Sequence, residues 1–273
     1  MLQRSAFILC CLGLMALAGC AQNRYRHTSA DLYLEKANEA LEKKNCWEAQ
    51  KLLRNLLSDF PGSHLVDRAQ YKLGFAYLCD KDYVTAVFEF ERLLNEFPTS
   101  PFVDQARYQI GVCYYRQSRG IHHDQDETHK AIREFERFIE DFPDSDLVPG
   151  TRDRILELRT KLARKKLMVA ENYIQWDMYE SAGRYCEIVL KEFDDTALVS
   201  RARFLLARTK HRTGALDEAL EMLRLLAADG VQDELKQNIA EEIRQIEKTR
   251  SRRNNDLRKP AEKPNGASAA NTR

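Results

Sequence analysis

Residues 73–98 read LGFAYLCDKDYVTAVFEFERLLNEFP, and this stretch decides the fold. Leu73 and Tyr77 are spaced as on one face of a helix, and Ala86, Phe90 and Leu93 follow at i, i+4 and i+7 of a second helix. The stretch closes with a Phe-Pro pair, and because proline cannot continue a helix, the chain must turn there. These 26 residues therefore predict two helices followed by a turn.

The same pattern recurs along the chain with a period of 37 residues. Phe60-Pro61 and Phe97-Pro98 lie 37 residues apart, and Phe142-Pro143 follows after 45, which is one period plus an insertion of eight. A further insertion of 14 residues separates the third copy from the fourth. Small residues, which let helices approach closely, keep the same register at Ala37, Gly74, Gly111, Ala170 and Ala207, and at Ala49, Ala86, Ala131, Ala182 and Ala219. A fixed period of this length indicates five stacked copies over about residues 30–231.

Each copy resembles the tetratricopeptide repeat, and the resemblance implies a solenoid of stacked helix pairs. We expect an all-α fold, a tetratricopeptide-repeat α-solenoid of five helix pairs plus a C-terminal capping helix. Pro149 is suited to a first helical turn, so the second insertion predicts one long helix ending near Trp176. The capping helix is predicted from one apolar face: Leu235, Ile239, Ile243 and Ile246.

The first twenty residues have the pattern of an export signal with a lipidation site. Residues 6–18 are almost wholly apolar and lead into Leu17-Ala18-Gly19-Cys20. This run is shorter than the ~20 residues that a membrane-spanning helix needs. The tetrapeptide resembles the bacterial lipobox, which implies acylation of Cys20 and stable anchoring by several acyl chains. Ala21 after this cysteine favours release to the outer membrane, whereas the alternative is an ordinary secretory signal with an incidental cysteine.

Four segments follow from these patterns. We expect a lipoprotein signal peptide over 1–19, a lipidated N-terminal linker over 20–29, the five-repeat solenoid with its capping helix over 30–250, and a disordered basic tail over 251–273. The tail carries prolines and a Gly-Ala-Ser run with nothing apolar to pack.

Charge and composition exclude several classes of protein. Lys and Arg number 43 against 42 Asp and Glu, a formal net charge of +1, which argues against a nucleic-acid partner. Charged residues make up 31% of the chain, with only 11 Gly and 7 Pro, as in helix-rich proteins. No Gly-rich phosphate loop, nucleophile elbow or His-Glu-x-x-His motif is present in the sequence. We therefore expect neither an enzyme nor a cofactor.

The strongest candidate for a metal site is the stretch 121–129, IHHDQDETH, in the eight-residue insertion. Imidazoles and carboxylates cluster there as metal ligands do. Asp124 and Glu127 also fit a helix N-cap with its capping-box partner. We prefer the capping interpretation and predict no metal; zinc titration of the mature domain separates the two.

Cysteines in the repeats suggest one disulfide. Cys46 opens the second helix of copy one, and Cys79 closes the first helix of copy two. Antiparallel packing of these helices would bring the two ends together, and the oxidising periplasm permits a bond. The alternative is two unpaired thiols; Cys186 occupies a core register position.

The first helices of such repeats line a concave groove. Registering the copies on Gly74 places Leu34 and Leu41 there, with the following proposed peptide-binding residues: Tyr71, Phe75, Leu78, Tyr108, Val112, Tyr115, Arg68 and Arg116. Aromatic anchors with charged neighbours suit an extended or helical peptide. In copy five the same register predicts a basic face for an acidic protein partner: Arg201, Phe204, Arg208 and Arg212, with His211 beside them. The alternative for both sets is ordinary solenoid surface.

The lipobox, the five repeats, an inserted Asp-Gln in copy three, and the segments 158–163 (LRTKLA) and 169–173 (VAENY) together resemble the BamD (YfiO) family of outer membrane assembly lipoproteins. The resemblance covers about residues 20–250. It implies a non-catalytic, lipid-anchored subunit of the β-barrel assembly complex on the periplasmic face of the outer membrane. N-terminal repeats would bind unfolded barrel precursors, and C-terminal repeats would dock BamA-like periplasmic domains. Asp194-Asp195, in place of an aromatic-Pro ending in copy four, departs from the repeat pattern.

Two other functions stay open at this stage. A different tetratricopeptide lipoprotein could coordinate envelope or peptidoglycan machinery, and a metal-dependent envelope enzyme would need ligands that the repeats do not supply. Co-purification with a large integral β-barrel protein separates assembly from the scaffold alternative.

Overall fold

The computed structural model describes residues 29–258, which form helices and short turns with no strand in that range. The predicted signal peptide 1–19, Cys20, nearly all of the linker 20–29 and residues 259–273 of the predicted tail lie outside these residues. Within the described range the helices are α1 (Ala30–Glu42), α2 (Cys46–Asp59), α3 (Val66–Cys79), α4 (Tyr83–Glu96), α5 (Val103–Gln117), α6 (Asp126–Asp141), α7 (Val148–Gln175), α8 (Tyr179–Glu192), α9 (Val199–Arg212), α10 (Leu216–Ala228) and α11 (Asp233–Arg258).

These helices form two compact units. The first comprises residues up to 119 together with 124–155, and the second comprises 120–123 together with residues from 156 onward. Helices that follow one another in sequence pack together from α1 to α6 in the first unit, and from α8 to α11 in the second. The predicted all-α fold of repeated helix pairs with a terminal helix is confirmed.

Small residues lie where the paired helices cross. A Cβ atom added to Gly74 would lie 2.6 Å from the ring of Phe90, and one added to Gly111 would lie 2.5 Å from the ring of Phe135. Neither glycine can therefore be enlarged without moving a buried aromatic ring. The alanines at the equivalent positions are fully buried: Ala37, Ala49, Ala86, Ala131, Ala170, Ala182, Ala207 and Ala219.

Aromatic residues end the second helix of each of the first four copies. Each of these C-cap residues donates a backbone N–H hydrogen bond to the carbonyl four residues earlier: Phe60, Phe97, Phe142 and Phe193. In the first three copies proline follows, as predicted from the Phe-Pro pairs. Copy four keeps the aromatic cap but has Asp194 and Asp195 after it.

An arginine of α7 explains this departure in copy four. The guanidinium of Arg159 donates two hydrogen bonds to the Asp195 carboxylate at 2.7 and 2.8 Å, and a third to the carbonyl of Glu192 at 2.7 Å. Its guanidinium carbon also lies 5.5 Å from the ring centre of Phe193. A tertiary contact therefore holds the turn that proline enforces in the first three copies.

Removing this arginine is expected to destabilise the second unit. Arg159→Ala should lower the free energy of unfolding by about 1–2 kcal/mol, because a bidentate pair and a carbonyl partner are lost together. Hydrogen bonds from Arg159 hold the pKa of Asp195 below its ordinary 3.8. The stabilisation from the Arg159–Asp195 pair is therefore present above about pH 4 and is lost as the pH falls through the lowered pKa of Asp195. Urea unfolding at pH 7 and pH 3 tests this, with the exposed Arg152→Ala as control; an equal Arg159→Ala effect at both pH values would contradict it.

The two longest helices differ in how well the sequence located their ends. Helix α7 runs over 28 residues from Val148, with Pro149 in its first turn, and ends at Gln175, close to the predicted Trp176. Helix α11 continues to Arg258, so residues 251–258 extend the capping helix instead of opening the predicted disordered tail. Its Ile239 and Ile246 are buried, and the residues of 251–255 are exposed.

The eight-residue insertion leads into α6 one position later than predicted. Gln125, and not Asp124, is the N-cap residue, and it forms no side-chain capping bond. Asp124 instead accepts a hydrogen bond from the N–H of Asp126 at 2.8 Å, while the Gln125 side-chain oxygen accepts from the Thr128 hydroxyl at 2.7 Å. The predicted Asp124–Glu127 capping box is wrong because the helix begins one residue later and the Asp124 carboxylate bonds to the N–H of Asp126 instead of that of Glu127.

Candidate binding surfaces

A cavity of about 820 Å³ lies in the first unit, where three first helices and two turns meet. We call it the aromatic groove. Its lining comes from α1 and its following turn (Leu41, Glu42, Lys44), from α3 and its following turn (Tyr71, Lys72, Phe75, Leu78, Cys79, Lys81), and from Tyr83 of α4 and Arg116 of α5. Four of the eight residues predicted for peptide binding therefore line one cavity.

The rings of Tyr71 and Phe75 form the floor of the aromatic groove. The ring of Tyr71 lies 5.2 Å from that of Phe102 in a nearly parallel stack, and 5.6 Å from Phe75 in an edge contact. Burial, with a smaller contribution from Asp104, raises the pKa of Tyr71 to about 12, so its phenol stays protonated at neutral pH. This floor is apolar and pre-ordered by ring packing.

Cations surround that floor. The aromatic groove is lined by four of them, Lys44, Lys72, Lys81 and Arg116, whereas Glu42 is its only acidic lining residue. Burial, assisted by Arg68, lowers the pKa of Lys72, and Glu42 opposes this shift. The groove therefore offers an apolar floor with a positive rim, which suits an aromatic side chain next to a carboxylate.

Sequence reasoning missed three of these cations. Lys44 and Lys81 are one period apart and occupy the same left-handed position in their turns, with φ of 56° and 63°. Their common register was a usable signal. Lys72 follows Tyr71 directly and could not be told from an exposed helical lysine by spacing alone.

The other predicted groove residues lie elsewhere. Val112 is only 6% exposed, although it has the register of the partly exposed Phe75. Leu34 is likewise 6% exposed, since it lies one helical turn before Ala37 on the buried face of α1. The prediction that both line the groove is wrong.

Two tyrosines and one arginine of the predicted set are occupied by contacts within the first unit. Arg154 of α7 lies 5.9 Å from the ring centre of Tyr108 and 5.0 Å from that of Tyr115. Tyr108 also packs on Phe138 at 5.6 Å. Arg68 is exposed and lies 5.7 Å from the ring centre of Phe102. None of the three lines the aromatic groove.

A disulfide lies at the edge of the groove. Cys46, the first residue of α2, is bonded to Cys79, the last residue of α3, with 5.8 Å between their Cα atoms. Cys79 itself lines the groove, and Lys44 and Lys81 lie two residues from the bond. The structure thus brings together the pair that helix geometry favoured. Cys113 and Cys186 are free and buried.

The second unit carries a different cavity, of about 550 Å³, which we call the arginine face. Arg201, Arg208 and Arg212 of α9 line it together with Glu171, Ile174, Gln175, Asp177, Tyr179 and Leu205. Arg201 is neutralised by Glu171 at 2.9 Å, and Arg208 lies 4.0 Å from the buried Glu242. Arg212 is exposed and forms no ion pair with the described side chains.

Phe204 does not belong to this face. Its side chain is 4% exposed and lies beneath the guanidinium of Arg201, 5.7 Å from the ring centre. The prediction that it contacts a partner is wrong because the arginine covers the ring. His211, placed beside the basic residues by sequence, is buried and its Nδ1 lies 2.6 Å from the Glu242 carboxylate, which ties α9 to α11.

Within residues 29–258, no group of three or more His, Cys, Asp or Glu side chains is placed to hold a metal ion. In that same part of the chain, no helix is long and apolar enough to cross a membrane. In the candidate metal-binding stretch, the backbone carbonyl of His123 accepts a hydrogen bond from the ammonium group of Lys165.

Comparison with known proteins identifies the family. A family model described as outer membrane lipoprotein, YfiO, matches residues 26–224. No curated protein matches the sequence significantly.

Several solved structures share the helical-repeat pattern at low similarity. A tetratricopeptide repeat protein from Parabacteroides merdae is 16% identical, with 84% of this chain and 77% of that chain covered and a TM-score of 0.35. The TPR2AB domain of yeast Sti1 is 14% identical, with coverages of 80% and 96% and a TM-score of 0.43. A thermophilic repeat protein from Thermus thermophilus is 17% identical, with coverages of 78% and 98% and a TM-score of 0.35. Since the family model spans most of the chain, the protein belongs to the YfiO family of outer membrane lipoproteins.

Proposed function

We propose that this lipoprotein is a non-catalytic subunit of the outer membrane β-barrel assembly complex. In this role it binds unfolded barrel precursors through its first unit and a partner subunit through its second. The aromatic groove carries the proposal, because it combines the packed rings of Tyr71 and Phe75 with four cations and one acidic residue. Family membership agrees with an outer membrane location. Acylation of Cys20 would hold the protein on the periplasmic face of that membrane.

Binding at the aromatic groove needs no chemical step. An aromatic side chain of the precursor packs on Tyr71 and Phe75, and a neighbouring carboxylate pairs with Lys44, Lys81 or Arg116. Apolar contact supplies most of the affinity, and the charges set the direction in which the peptide lies. Release is simple dissociation, as a precursor in transit to the membrane requires.

Partner docking uses the arginine face. Arg201 and Arg208 already have carboxylates nearby, whereas Arg212 is exposed without an ion pair among the described side chains. An acidic surface of the barrel subunit's periplasmic domains would supply the missing carboxylate. We expect this pairing to accelerate association more than it adds to affinity.

Loss of the Phe75 ring tests the groove. Phe75→Ala should weaken binding of a peptide from the C-terminal strand of a barrel precursor by about 2 kcal/mol, or roughly thirtyfold. Phe88→Ala is the matched control, because Phe88 belongs to the same repeat, is 60% exposed and does not line the groove. Fluorescence anisotropy measures both affinities, and thermal melting verifies that each variant is folded. Equal affinity of Phe75→Ala and wild type would reject the groove.

A further inference from the structure

Four turns in this protein share one backbone geometry. Each of them connects the two helices of one copy: residues 43–45 in copy one, 80–82 in copy two, 176–178 in copy four and 213–215 in copy five. The middle residue of each is left-handed, with φ between 56° and 88°: Lys44, Lys81, Asp177 and Gly214. Side chains at the flanking positions can therefore be compared directly from copy to copy.

The last residue of each turn is the N-cap of the next helix. Asn45 accepts a hydrogen bond from the N–H of Glu48 at 3.3 Å, and Asp82 accepts one from the N–H of Thr85 at 3.1 Å. Met178 holds this position in copy four and Ala215 holds it in copy five, and neither forms a side-chain capping bond. Because methionine has no oxygen to accept the bond, copy four forgoes the stabilisation that copies one and two obtain.

Copy four has large apolar side chains where the other turns do not. Met178 is 49% exposed, and Trp176, the first residue of the same turn, is 65% exposed. The residues at the first position in the other turns are Lys43, Asp80 and Thr213. Met178 gives up a helix cap, and neither Met178 nor Trp176 gains burial in exchange, which indicates a functional constraint at this turn.

This turn is continuous with the arginine face. A cavity of about 350 Å³ is lined by Met178 together with Thr213, the residue that follows Arg212. Asp177 and Tyr179 line both this cavity and the arginine face. The turn and the end of α9 therefore form one surface within the second unit.

We propose that Trp176 and Met178 are the apolar anchors with which the second unit docks an acidic protein partner. The inference rests on the proposed partner role of the arginine face and adds the residues that supply affinity there. Tryptophan, methionine and arginine are the side chains enriched in protein interfaces. The buried Phe204 cannot serve as an anchor, so the turn adds an exposed tryptophan beside the partly exposed Tyr179 of the face.

Charge favours a protein over a lipid surface. Asp177 and Glu180 are exposed beside the two anchors, and their carboxylates would repel anionic headgroups. A partner with an apolar side chain flanked by carboxylates complements the turn and Arg212 together. The partner's carboxylates must lie on the side of α9, next to Arg212 and away from Asp177 and Glu180.

The test uses the full lipidated chain and the purified periplasmic domains of the integral barrel subunit. Trp176→Ala should weaken binding about thirtyfold. Met178→Asn should weaken binding about tenfold while raising the thermal midpoint, because asparagine restores the missing cap. Trp47→Ala is the matched control, since Trp47 is 63% exposed and belongs to the first unit.

Each other outcome overturns the inference in a recognisable way. Wild-type affinity in Trp176→Ala and Met178→Asn, with weakened binding by Arg212→Ala, rejects the anchors and leaves the arginine face standing. If Met178→Asn loses affinity together with a lower thermal midpoint, its fold is damaged and Trp176→Ala decides: wild-type affinity in that variant rejects the anchors. Unchanged protein binding with reduced retention on phosphatidylethanolamine–phosphatidylglycerol vesicles assigns the turn to the bilayer. If the wild type itself does not bind, both the partner role and the anchors are rejected.

Discussion

Phe135→Ala is expected to lower the free energy of unfolding by about 3–5 kcal/mol, the range found when a fully buried phenylalanine is truncated. Phe135 is completely buried and fills the space above Gly111, between the rings of Tyr108 and Tyr115. Because solenoid repeats contact only their neighbours, a cavity there weakens the stacking of the third copy directly. Urea unfolding followed by circular dichroism at 222 nm measures the loss.

A second substitution makes this prediction more specific. Gly111→Ala alone should be destabilising, because its Cβ would lie 2.5 Å from the Phe135 ring. In the Phe135→Ala background the same change should be stabilising, since alanine is the better helix former and the clash is gone. The double-mutant cycle should therefore give a coupling above about 1 kcal/mol. Additive effects of Gly111→Ala and Phe135→Ala would show that the close approach of the two residues does not limit the packing. As a control, Phe88→Ala, at an exposed position, should change the free energy of unfolding by less than about 0.5 kcal/mol.

Reduction of the disulfide is expected to have the second largest effect. Cys46 and Cys79 are 33 residues apart, and closing a loop of this length restricts the unfolded chain by about 3–4 kcal/mol. Treatment with a phosphine reductant should therefore shift the urea midpoint downward. The double variant Cys46→Ala with Cys79→Ala should start at the lower midpoint and show no further response to reductant. A response equal to that of wild type would contradict the prediction.

Thiol labelling provides an independent measurement of the same bond. In a chain beginning after Cys20, the unreduced and denatured protein should contain two free thiols, those of Cys113 and Cys186; four would exclude the disulfide. Burial raises the pKa of each to about 12, so neither thiol ionises appreciably at pH 8. Because the thiolate is the reactive form, folded protein should resist alkylation and denatured protein should not.

The aromatic groove shows where periodicity stops being informative. Phe75 and Val112 share one register position, yet one lines the groove and the other is 6% exposed, because the outcome depends on side-chain length and on what packs across from it. Tyr108 and Tyr115 meet Arg154, which lies about 40 residues further along the chain. Register assigns a residue to a helix face, but only the neighbouring helix decides whether that face is covered.

The turns show the opposite case, in which the sequence held a usable signal that spacing of apolar residues did not include. Lys44 and Lys81 are one period apart, and in copy four Trp176 and Met178 stand where copies one and two have polar residues. Comparison of turn residues between copies would have located Lys44 and Lys81 in the groove as well as the exposed Trp176 and Met178. Only the structure shows that these side chains are exposed, and exposure is what makes them candidates for a binding surface.

By itself, the sequence determined the helix pairs, their crossings and their stacking order. Small residues at a period of 37 specify where helices touch, and Phe-Pro pairs specify where the chain turns, because both act through local sterics. Only the tertiary structure decided which face residues remain exposed. Arg154 and Arg201 cover the predicted aromatics, and Arg159 replaces a proline through a contact with Asp195 36 residues away. Such contacts depend on the positions of two helices at once, and no pattern within one helix encodes them.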